Sequence, residues 1–500
     1  MPASSRIPGV LRARSLGLVA ACGLAAGCGA DAPAQAKNVL LISVDSLRLD
    51  HVGLHGRKNP HAPGQSTTPT FDALAARGVH FANARSTTSW TLPSHASLLT
   101  GLPDHLHGLV ENRGRLHPDL TTLAELLGDA GFTTAGFWSG PNLHPTFGFG
   151  QGFENYVDCS QLGLERDLFA DAAEADLGAY QSVHQGSHQA ITTPAVLAGA
   201  LEFVAGAVAS GQPFFCFTHW WDPHYDYLPP AAYRAAWTDP TYAGPFIGVH
   251  QEEKRLPASP ADVVHLRELY DAEIRATDDG IGQLLDDLDE LGALAQTLVV
   301  YTADHGEEFY EHGRWGHQRT LEEEVVRIPM AMAGPGVPVG VEVTGRAQLQ
   351  DVYPTVADLL GLEVPGYIDG RNLRELWADP DEPGRPAILA LDVAHREIRL
   401  SALTDGHVRA ELDHLTGQVT IHDLARPGRP GVTLENARPE QRFAADALLR
   451  ELARMELARP NLPGGGERQS SQMSAELIEQ LEALGYSIGE GEPENGDRDD

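Results

Sequence analysis

Residues 39–44 read VLLISV, and Asp45 follows this run directly. A strand that is apolar on both faces is typical of the interior of a parallel sheet, where helices cover both sides. Similar apolar runs recur at residues 214–217 and 298–301. The three runs therefore predict buried strands of one large parallel sheet.

Helical patterns separate these runs, at residues 120–130, 194–209 and 261–291. Strands that alternate with helices predict an α/β fold, a large and mostly parallel sheet sandwiched by helices. We expect this main domain to span residues 37–380.

The sequence pattern changes from about residue 386. Short segments in which apolar and polar residues alternate are separated there by the turn signals Asp405-Gly406 and Thr416-Gly417. This pattern predicts a small antiparallel-sheet subdomain over residues 381–460, which ends in a helix at residues 439–456. Residues 461–500 are expected to hold a linker at 463–466, a short amphipathic helix at 475–484 and a solvated acidic tail.

The first 28 residues read as an export signal. Arginines precede a short apolar run, residues 16–26, which is too short to span a bilayer. The run ends in LAAGC at residues 24–28, which resembles a bacterial lipoprotein signal and implies lipidation of Cys28. The expected location is the periplasm or cell surface, with a lipid anchor. An ordinary cleaved signal and lipidation at Cys22 remain the alternatives.

The acidic composition limits the classes of molecule that the protein is expected to bind. The 500 residues include 36 Lys+Arg and 69 Asp+Glu, so the formal net charge is −33, while 42% hydrophobic residues supply a packed core. Nucleic acids and anionic membrane surfaces both attract basic patches, so we expect no nucleic-acid partner and membrane contact only through the lipid. The lysines are Lys37, Lys58 and Lys254. Whether Cys159 and Cys216 pair stays open, as does the oligomeric state.

Polar side chains follow each of the three predicted strands. They are Asp45 and Asp50 after the first, His219, Asp222 and His224 after the second, and Asp304, His305 and Glu307 after the third. Because ligands bind at the carboxyl edge of open α/β sheets, we expect these segments to converge on one site. Their carboxylates and imidazoles are metal-ligand types, and His305 beside Asp304 favours a transition metal over an all-oxygen site.

Residues 91–101, TLPSHASLLTG, contain a second kind of signal. Pro93 suits the first turn of a helix, which would place Thr91 at the positive end of that helix. A metal-bound hydroxyl in this position can ionise and act as a nucleophile. The alternative is that Thr91 simply caps the helix.

Over residues 37–460 the chain resembles the sulfatase family of the alkaline phosphatase superfamily. Residues 91–101 resemble the family signature C/S-x-P-S-R-x-x-L-x-T-G. The other segments that resemble family motifs, in the family's order, are residues 38–50, 68–75, 270–278, 304–307, 316–317, 327–329, 404–406 and 415–417. The resemblance implies the alkaline phosphatase/sulfatase fold and an ester hydrolase.

Several positions depart from the sulfatase pattern. Family members typically carry Cys or Ser where Thr91 stands and convert it to formylglycine, and the methyl group of threonine bars that conversion. The arginine of the signature is His95. The Gly-Lys-Trp-His motif reads GFWS at residues 136–139, without its lysine, and His317 replaces a later active-site lysine. The asparagine of the second metal pair is His305.

These departures resemble the phosphonate and phosphodiester hydrolases of the superfamily. That resemblance implies one divalent metal ion, Ca, Mn or Zn, held by Asp45, Asp304, His305 and Thr91. Asn112 resembles the substrate-contacting asparagine of those hydrolases.

The implied reaction is attack by Thr91 on sulfur or phosphorus, followed by hydrolysis of the covalent ester. His95, Asn112, His224 and His317 are the expected contacts to substrate oxygens, and one histidine is expected to protonate the leaving group. The substrate is expected to be a small-molecule or saccharide ester, either a sulfate or a phosphate diester or phosphonate. A phosphoryl-group transferase and a non-catalytic sulfatase-like binding protein are the alternatives.

The sequence leaves the roles of other residues open. His219 and His312 are either site residues or ordinary histidines. Four tryptophans near the motifs either floor a substrate cleft or belong to the core, and they are Trp90, Trp138, Trp220 and Trp221.

Overall fold

The computed structural model describes residues 35–111, 114–160, 164–165, 190–249, 258–392, 398–426, 429–466 and 469–470. An eight-stranded sheet forms its centre, and the VLLISV run lies in the middle of that sheet. In spatial order the strands are β13 (Val341–Gln348), β2 (Val79–Arg85), β12 (Met330–Ala333), β9 (Thr297–Ala303), β1 (Asn38–Val44), β8 (Phe214–Trp220), β4 (Thr133–Trp138) and β5 (Asn155–Asp158).

The sheet is mostly parallel, as predicted. Strand β1 pairs in parallel with β8 on one side and β9 on the other, while β12 runs antiparallel to both of its neighbours. Every residue of β1, β8 and β9 is buried, which matches their near-continuous apolar sequence. Strand β8 continues to Trp220, beyond the predicted end at Phe217, because its ladder extends and the polar side chains of Thr218 and His219 find buried partners.

Helices cover both faces of the sheet or connect its strands. They are α1 (Pro69–Ala76), α2 (Thr91–Thr100), α3 (Asp104–His107), α4 (Leu123–Asp129), α5 (Thr193–Ser210), α6 (Ala231–Trp237), α7 (Pro260–Glu290), α8 (Glu323–Val326), α9 (Val352–Leu359), α10 (Arg374–Ala378) and α11 (Pro439–Ala458). The four predicted helices correspond to α4, α5, α7 and α11. Helix α4 begins later than predicted because Thr122 and Glu125 form a capping box at its start.

Among the described helices, α5 is long and apolar enough to cross a membrane by length and composition. Its buried residues include Val196, Ala200 and Val204, at intervals of four along the sequence. That stripe lies against β4, β8 and α7. The helix is thus packed on the sheet like a core helix of a globular domain.

A second sheet follows in the C-terminal part, as predicted. Its antiparallel strands are β14 (Ala387–Asp392), β15 (Ile398–Thr404), β16 (Val408–Asp413), β17 (Gln418–Asp423) and β18 (Val432–Thr433). Glycines at the predicted turns take left-handed backbone angles, with φ of 84° at Gly406 and 69° at Gly417. Helix α11 packs on this sheet.

Short elements complete the described chain. Two-residue strands pair as β3 (Gly114–Arg115) with β19 (Gln469–Ser470), β6 (Leu164–Glu165) with β7 (Ala190–Ile191), and β10 (Glu308–Phe309) with β11 (Trp315–Gly316). Pro463–Gly466, expected to be a linker, forms a 3-10 turn. Cys159 and Cys216 are buried free thiols, so they do not pair. The predicted export signal, the predicted helix at 475–484 and the predicted acidic tail lie outside the described residues.

Candidate active site

The carboxyl ends of β1, β8 and β9 bring the predicted polar segments together. In the parallel ladders Ser43 is opposite His219 and Val44 is opposite Ala303, and the backbone N–H of Asp45 donates to Trp220 O at 2.9 Å. This register places the first residues beyond three neighbouring strands side by side. The expected convergence at one sheet edge is therefore present.

Ser46 organises the two aspartates of the site. Its φ of 56° lies in the left-handed region, which costs a non-glycine residue roughly 1–2 kcal/mol. In this conformation its N–H donates to Asp304 Oδ1 at 3.0 Å and its Oγ–H donates to Asp45 Oδ1 at 2.7 Å. One oxygen of each carboxylate is thereby held, and each Oδ2 is left for another partner. The sequence did not point to Ser46, because the left-handed backbone angle has no signature at a serine.

The ring of His305 is fixed in one tautomer. Its Nδ1 lies 2.8 Å from Gly306 O, and a carbonyl oxygen only accepts, so Nδ1 carries the proton. The lone pair of Nε2 therefore faces the site. Nε2 lies 3.3 Å from Thr91 Oγ1 and 3.5 Å from Asp304 Oδ2, and 3.8 Å from Asp45 Oδ1.

Thr91 is the first residue of α2, and Trp90 occupies the N-cap position. The alternative interpretation, in which Thr91 simply caps the helix, is therefore not favoured, because Trp90 occupies that position. Its Oγ1 lies 3.4 Å from Asp45 Oδ2 and 3.3 Å from His305 Nε2. The positive end of the helix favours an oxyanion here, whereas burial of the hydroxyl opposes one unless a positive charge lies beside it.

The ligand atoms of these side chains are arranged as they would be around one divalent cation. Asp45, Asp304 and His305 form a buried group of possible metal ligands, with Thr91 Oγ1 beside them. Four ligands about 2.1 Å from a tetrahedral ion lie roughly 3.4 Å from one another, close to the distances found here. Among the described residues Asp304 Oδ2 has no hydrogen-bond partner, and an unsatisfied buried acceptor costs about 1–3 kcal/mol. A bound cation would remove that cost.

The two carboxyl groups differ electrostatically. Burial opposes ionisation of Asp45, but the imidazoles of His224, His219 and His305 outweigh it and hold its pKa well below the usual range. Burial and the neighbouring Asp45 carboxylate raise the pKa of Asp304 well above the usual range. A cation between them would favour the ionised form of both carboxyl groups.

His95 is completely buried and both of its ring nitrogens have partners. Nδ1 lies 2.9 Å from Thr91 O, and Nε2 lies 2.9 Å from Ser43 Oγ. In this arrangement neither nitrogen is left to donate to a substrate oxygen, so the geometry does not favour the expected role. His95 Nδ1 instead lies 3.8 Å from Asp304 Oδ2.

His219, which the sequence left undecided, belongs to the site. Its Nδ1 lies 2.9 Å from Ser139 O and its Nε2 lies 3.4 Å from Asp45 Oδ2. Its ring centroid is 4.8 Å from that of His95. The signal that identifies it is the strand register, because His219 is opposite Ser43 and Ser43 contacts His95.

His317 and His224 lie beside the possible metal ligands. Ring centroids are 4.5 Å apart for His305 and His317 and 5.0 Å apart for His224 and His317. His317 Nδ1 lies 2.9 Å from Glu307 Oε1, and Tyr227 donates its hydroxyl to Glu307 Oε2 at 2.9 Å.

Burial sets the ionisation of these three groups. It lowers the pKa of His224 to about 4 and that of His317 well below its usual range. Burial also raises the pKa of Glu307 to about 7. The two histidines are therefore neutral near pH 7.

The remaining candidates are Asn112, His312 and the four tryptophans. Asn112 lies outside the described residues. His312 bonds to Glu324 with 3.1 Å between Nε2 and Oε2. The four tryptophans near the motifs are all buried, which favours the core interpretation. Trp221 backs the site, since its ring lies 4.7 Å from that of His224.

Comparison with known proteins gives a consistent picture. A family profile described as Sulfatase matches residues 37–362. The chain is 26% identical to the ulvan-active sulfatase of Formosa agariphila over 376 residues, which cover 71% of this chain and 68% of that protein. It is 27% identical to the multifunctional alkaline phosphatase superfamily protein PehA of Trinickia caryophylli over 422 residues, which cover 70% of this chain and 78% of that protein.

Solved structures share the fold. The phosphonate monoester hydrolase of Silicibacter pomeroyi superimposes with a TM-score of 0.66 at 23% identity, covering 84% of this chain and 95% of that one. The large sheet with a separate C-terminal antiparallel sheet is thus the architecture that both chains share.

Proposed function

Because the chain belongs to the sulfatase family and is a hydrolase of ester bonds, we propose that it cleaves a phosphate-type or sulfate-type ester through a covalent intermediate on Thr91. The observation that supports this is the position of Thr91 Oγ1 at the start of α2, 3.4 Å from Asp45 Oδ2 and 3.3 Å from His305 Nε2. A hydroxyl in that position is activated more readily than one in water.

A divalent cation held by Asp45, Asp304, His305 and Thr91 would supply Lewis acidity, which lowers the pKa of the hydroxyl and polarises the ester. In the first step Thr91 Oγ1 would pass its proton to Asp45 Oδ2, 3.4 Å away, and form a bond to the phosphorus or sulfur, while the bond to the leaving alcohol oxygen breaks and that oxygen takes a proton from His317. Water would then attack the same centre and give one proton to His317. The bond to Thr91 Oγ1 would break as Asp45 returns the proton to it.

Glu307 Oε1 and His317 Nδ1 share a proton in a hydrogen bond of 2.9 Å, beside the proposed metal ligands. Glu307 contacts Nδ1, so the other ring nitrogen of His317 is the one positioned to give a proton to the leaving oxygen. His224, whose Nδ1 lies 2.6 Å from Tyr225 O, is positioned to orient the substrate. Asn112 is retained as a proposed substrate contact.

A phosphate diester or phosphonate is the substrate class that these residues favour. Thr91 cannot become the aldehyde that sulfatases use, and His95, His305 and His317 stand where sulfatases carry Arg, Asn and Lys. A sulfate ester of a polysaccharide is the second candidate, because the family match and the ulvan-active relative favour it.

The resemblance of residues 1–28 to a lipoprotein signal leads to a further part of the proposal. The chain would be lipidated at Cys28 and held at the cell surface or in the periplasm, with a catalytic domain at 37–380 and a subdomain at 381–460. Incorporation of labelled palmitate that disappears in Cys28→Ala would support the anchor, and equal incorporation in both would exclude it.

A substrate panel tests the reaction class. Nitrophenyl esters of sulfate, phosphate, a phosphodiester and a phosphonate are offered to one metal-loaded sample whose metal content is measured. Turnover highest on the diester or phosphonate supports the first candidate, and turnover highest on the sulfate supports the second. No turnover on any ester by a metal-loaded sample would refute the hydrolase proposal.

A further inference from the structure

A cavity of about 370 Å³ lies where the C-terminal sheet and helix α11 meet the edge of the main sheet. Its lining includes Gln348 at the end of β13, Leu403 of β15 and Arg450 of α11. Cavities of roughly this size bind small molecules, and they often lie between domains. We propose that this cavity binds a small ligand that carries both a negatively charged group and hydroxyl groups, as an acidic sugar does. This inference goes beyond the proposed function and does not depend on it.

The cavity is separate from the candidate active site. Gly101 follows the last residue of α2, and its carbonyl oxygen accepts from the backbone N–H groups of Asp369 at 3.2 Å and Gly370 at 2.9 Å. Asp369 lines the cavity, whereas Thr91 is the first residue of the same helix. The ten residues of α2 span roughly 15 Å. A ligand in the cavity would therefore lie about one helix length from Thr91.

The lining is positively charged in an otherwise acidic protein. It contains five arginines and three carboxyl groups, whereas the whole chain has a net charge of −33. The arginines are Arg346, Arg371, Arg385, Arg450 and Arg454, and the carboxyl groups are those of Asp351, Asp369 and Glu451. A local surplus of positive charge in a concave surface attracts an anion.

The three carboxyl groups already have partners within the protein. Arg454 Nη2 lies 2.7 Å from Asp369 Oδ1 and 2.7 Å from Glu451 Oε1. Both oxygens of Asp351 accept backbone N–H bonds, from Gln348 at 2.8 Å and from Arg371 at 2.7 Å. One arginine thus offsets two of the carboxylates, and the backbone satisfies the third.

Two other arginines of the lining keep a positive charge that is not paired with a carboxylate. The guanidinium of Arg346 donates to three main-chain carbonyl oxygens at distances of 2.6–3.0 Å. The guanidinium of Arg450 lies over the Phe443 ring, 5.8 Å from its centroid. The ion pairs between described residues include neither Arg346 nor Arg450. Guanidinium groups bind carboxylates and other planar or tetrahedral anions through charge-assisted hydrogen bonds, so these two groups favour an anionic ligand.

Gln350 supplies an acceptor for a hydroxyl group. It lines the cavity, it is only 2% exposed, and its Oε1 has no hydrogen-bond partner among the described residues. The orientation of its amide is set by Gln348, whose Nε2 donates to Ile388 O at 2.8 Å and whose Oε1 accepts from Ile388 N at 3.0 Å. Gln348 Oε1 can therefore only accept from Gln350, and Gln350 Nε2 donates to it at 3.2 Å.

The unpaired atom of Gln350 is thus an acceptor, and buried polar atoms are normally paired. An ionised carboxylate or sulfonate offers acceptors alone and cannot satisfy it. A ligand with a hydroxyl beside its anionic group satisfies both Gln350 and the arginines. This combination of partners identifies the chemical class of the ligand.

Binding of matched probes to the full chain tests the proposal by isothermal titration calorimetry. The probes are glucuronate and sulfoquinovose, which are acidic sugars without an ester bond that the protein could cleave. Glucose is the control without charge, and acetate and methanesulfonate are the controls without hydroxyl groups. We expect one site per chain for an acidic sugar, with an affinity about tenfold or more above that of each control, because each part of the sugar has its own partner.

Variants locate the binding site. Arg385→Gln with Arg450→Gln replaces two exposed arginines of the lining and is expected to weaken the acidic sugar by about tenfold or more. Arg77→Gln with Arg442→Gln, which removes the same charge from exposed positions outside the lining, should leave the affinity unchanged. Gln350→Met is expected to reduce the advantage of glucuronate over acetate.

Affinities of glucuronate and sulfoquinovose no higher than that of glucose would overturn the proposal. An acidic sugar that binds the wild type and the Arg385→Gln/Arg450→Gln variant equally well would overturn it too, since the sugar would then occupy another site. If Gln350→Met does not fold, the arginine variants decide the question, because both of their side chains are exposed. Ester turnover is not measured in this experiment, so its failure would leave the proposed function standing.

Discussion

Glu307 Oε1 lies 2.9 Å from Nδ1 of His317, and both side chains are completely buried. The second oxygen of Glu307 accepts from Tyr227, so the carboxyl group is held at both ends. This arrangement fixes the orientation of the His317 ring beside the metal ligands. The contact is therefore expected to matter most in the step that protonates the leaving group.

The first prediction concerns this contact. Glu307→Gln keeps the size of the side chain but removes the ionisable carboxyl group from its bond to His317, and a hydrogen bond in which one partner is charged contributes about 1.5–3 kcal/mol. We expect kcat to fall roughly 10- to 100-fold for alkyl leaving groups, which need protonation, and much less for nitrophenyl leaving groups. Kinetics with both ester types measure this difference. Glu308→Gln, a buried neighbour, is the control, and equal losses with both ester types would contradict the assignment.

The second prediction tests the nucleophile. Thr91→Ala is expected to lower kcat by roughly three orders of magnitude or more, because loss of a nucleophile removes the covalent route. Thr100→Ala, at the other end of α2, removes a buried hydroxyl that bonds to Ala96 O and should leave kcat nearly unchanged. Activity of Thr91→Ala within about tenfold of the wild type would exclude Thr91 as the nucleophile.

The third prediction links metal to stability. Ligands that bind only the folded state stabilise it, by about 2.7 kcal/mol at a hundredfold excess over Kd. Chelation should therefore lower the Tm of the wild type by several degrees, and Asp304→Asn should lose metal and show no further drop. Asp50→Asn serves as the control, since Asp50 pairs with Arg48. A Tm of the wild type that does not respond to complete metal removal would argue against a metal held by Asp304.

The fourth prediction is a pH dependence away from the metal ligands. Burial raises the pKa of Asp278 to about 7, although the carboxyl accepts bonds from the backbone of Thr70 and Phe71. The unfolded chain loses this proton near pH 4, whereas the folded chain keeps it until about pH 7. The stabilisation is therefore complete below pH 4 and is lost as the pH rises to 7, by up to roughly 4 kcal/mol.

Asp278→Asn should remove this dependence. Urea unfolding at pH 5 and pH 8 is expected to show a smaller change in the free energy of unfolding for the variant than for the wild type. Asp279→Asn, the next residue of α7, pairs with Arg275 on the outside of the helix and should behave as the wild type does. The same pH slope in Asp278→Asn and in the wild type would show that the Asp278 carboxyl is not the source.

The fifth prediction concerns the support beneath His224. Gly140 has a φ of 86°, and a Cβ there would lie 1.1 Å from the Trp221 ring. Gly140→Ala should destabilise the fold by about 1–3 kcal/mol and move the ring that backs His224. Thermal unfolding measures the first effect. Gly131→Ala is the control, because Gly131 also has a left-handed backbone angle but a Cβ there would meet no neighbouring atom. Equal losses of stability in the two variants would show that backbone strain, and not the clash with Trp221, causes the effect.

The fold could be predicted because the buried strands and helices follow clear periodic patterns. The proximity of Asp45, Asp304 and His305 could be predicted as well, since they follow strands whose carboxyl ends must meet. His219 could not be assigned, because it lies inside β8 and its role depends on which residue of β1 is opposite. Ser46 was missed because its contacts depend on a backbone angle that only the folded chain defines.

The contact between His219 and Ser139 has a further consequence. The residue that follows strand β4 supplies a main-chain oxygen here, and every amino acid carries that atom. The Ser139 hydroxyl adds two bonds of its own, because it donates to His219 O at 3.3 Å and accepts from Thr192 at 2.9 Å. A substitution at position 139 that keeps the path of the chain would therefore preserve the tautomer of His219 while it removes these two buried side-chain bonds.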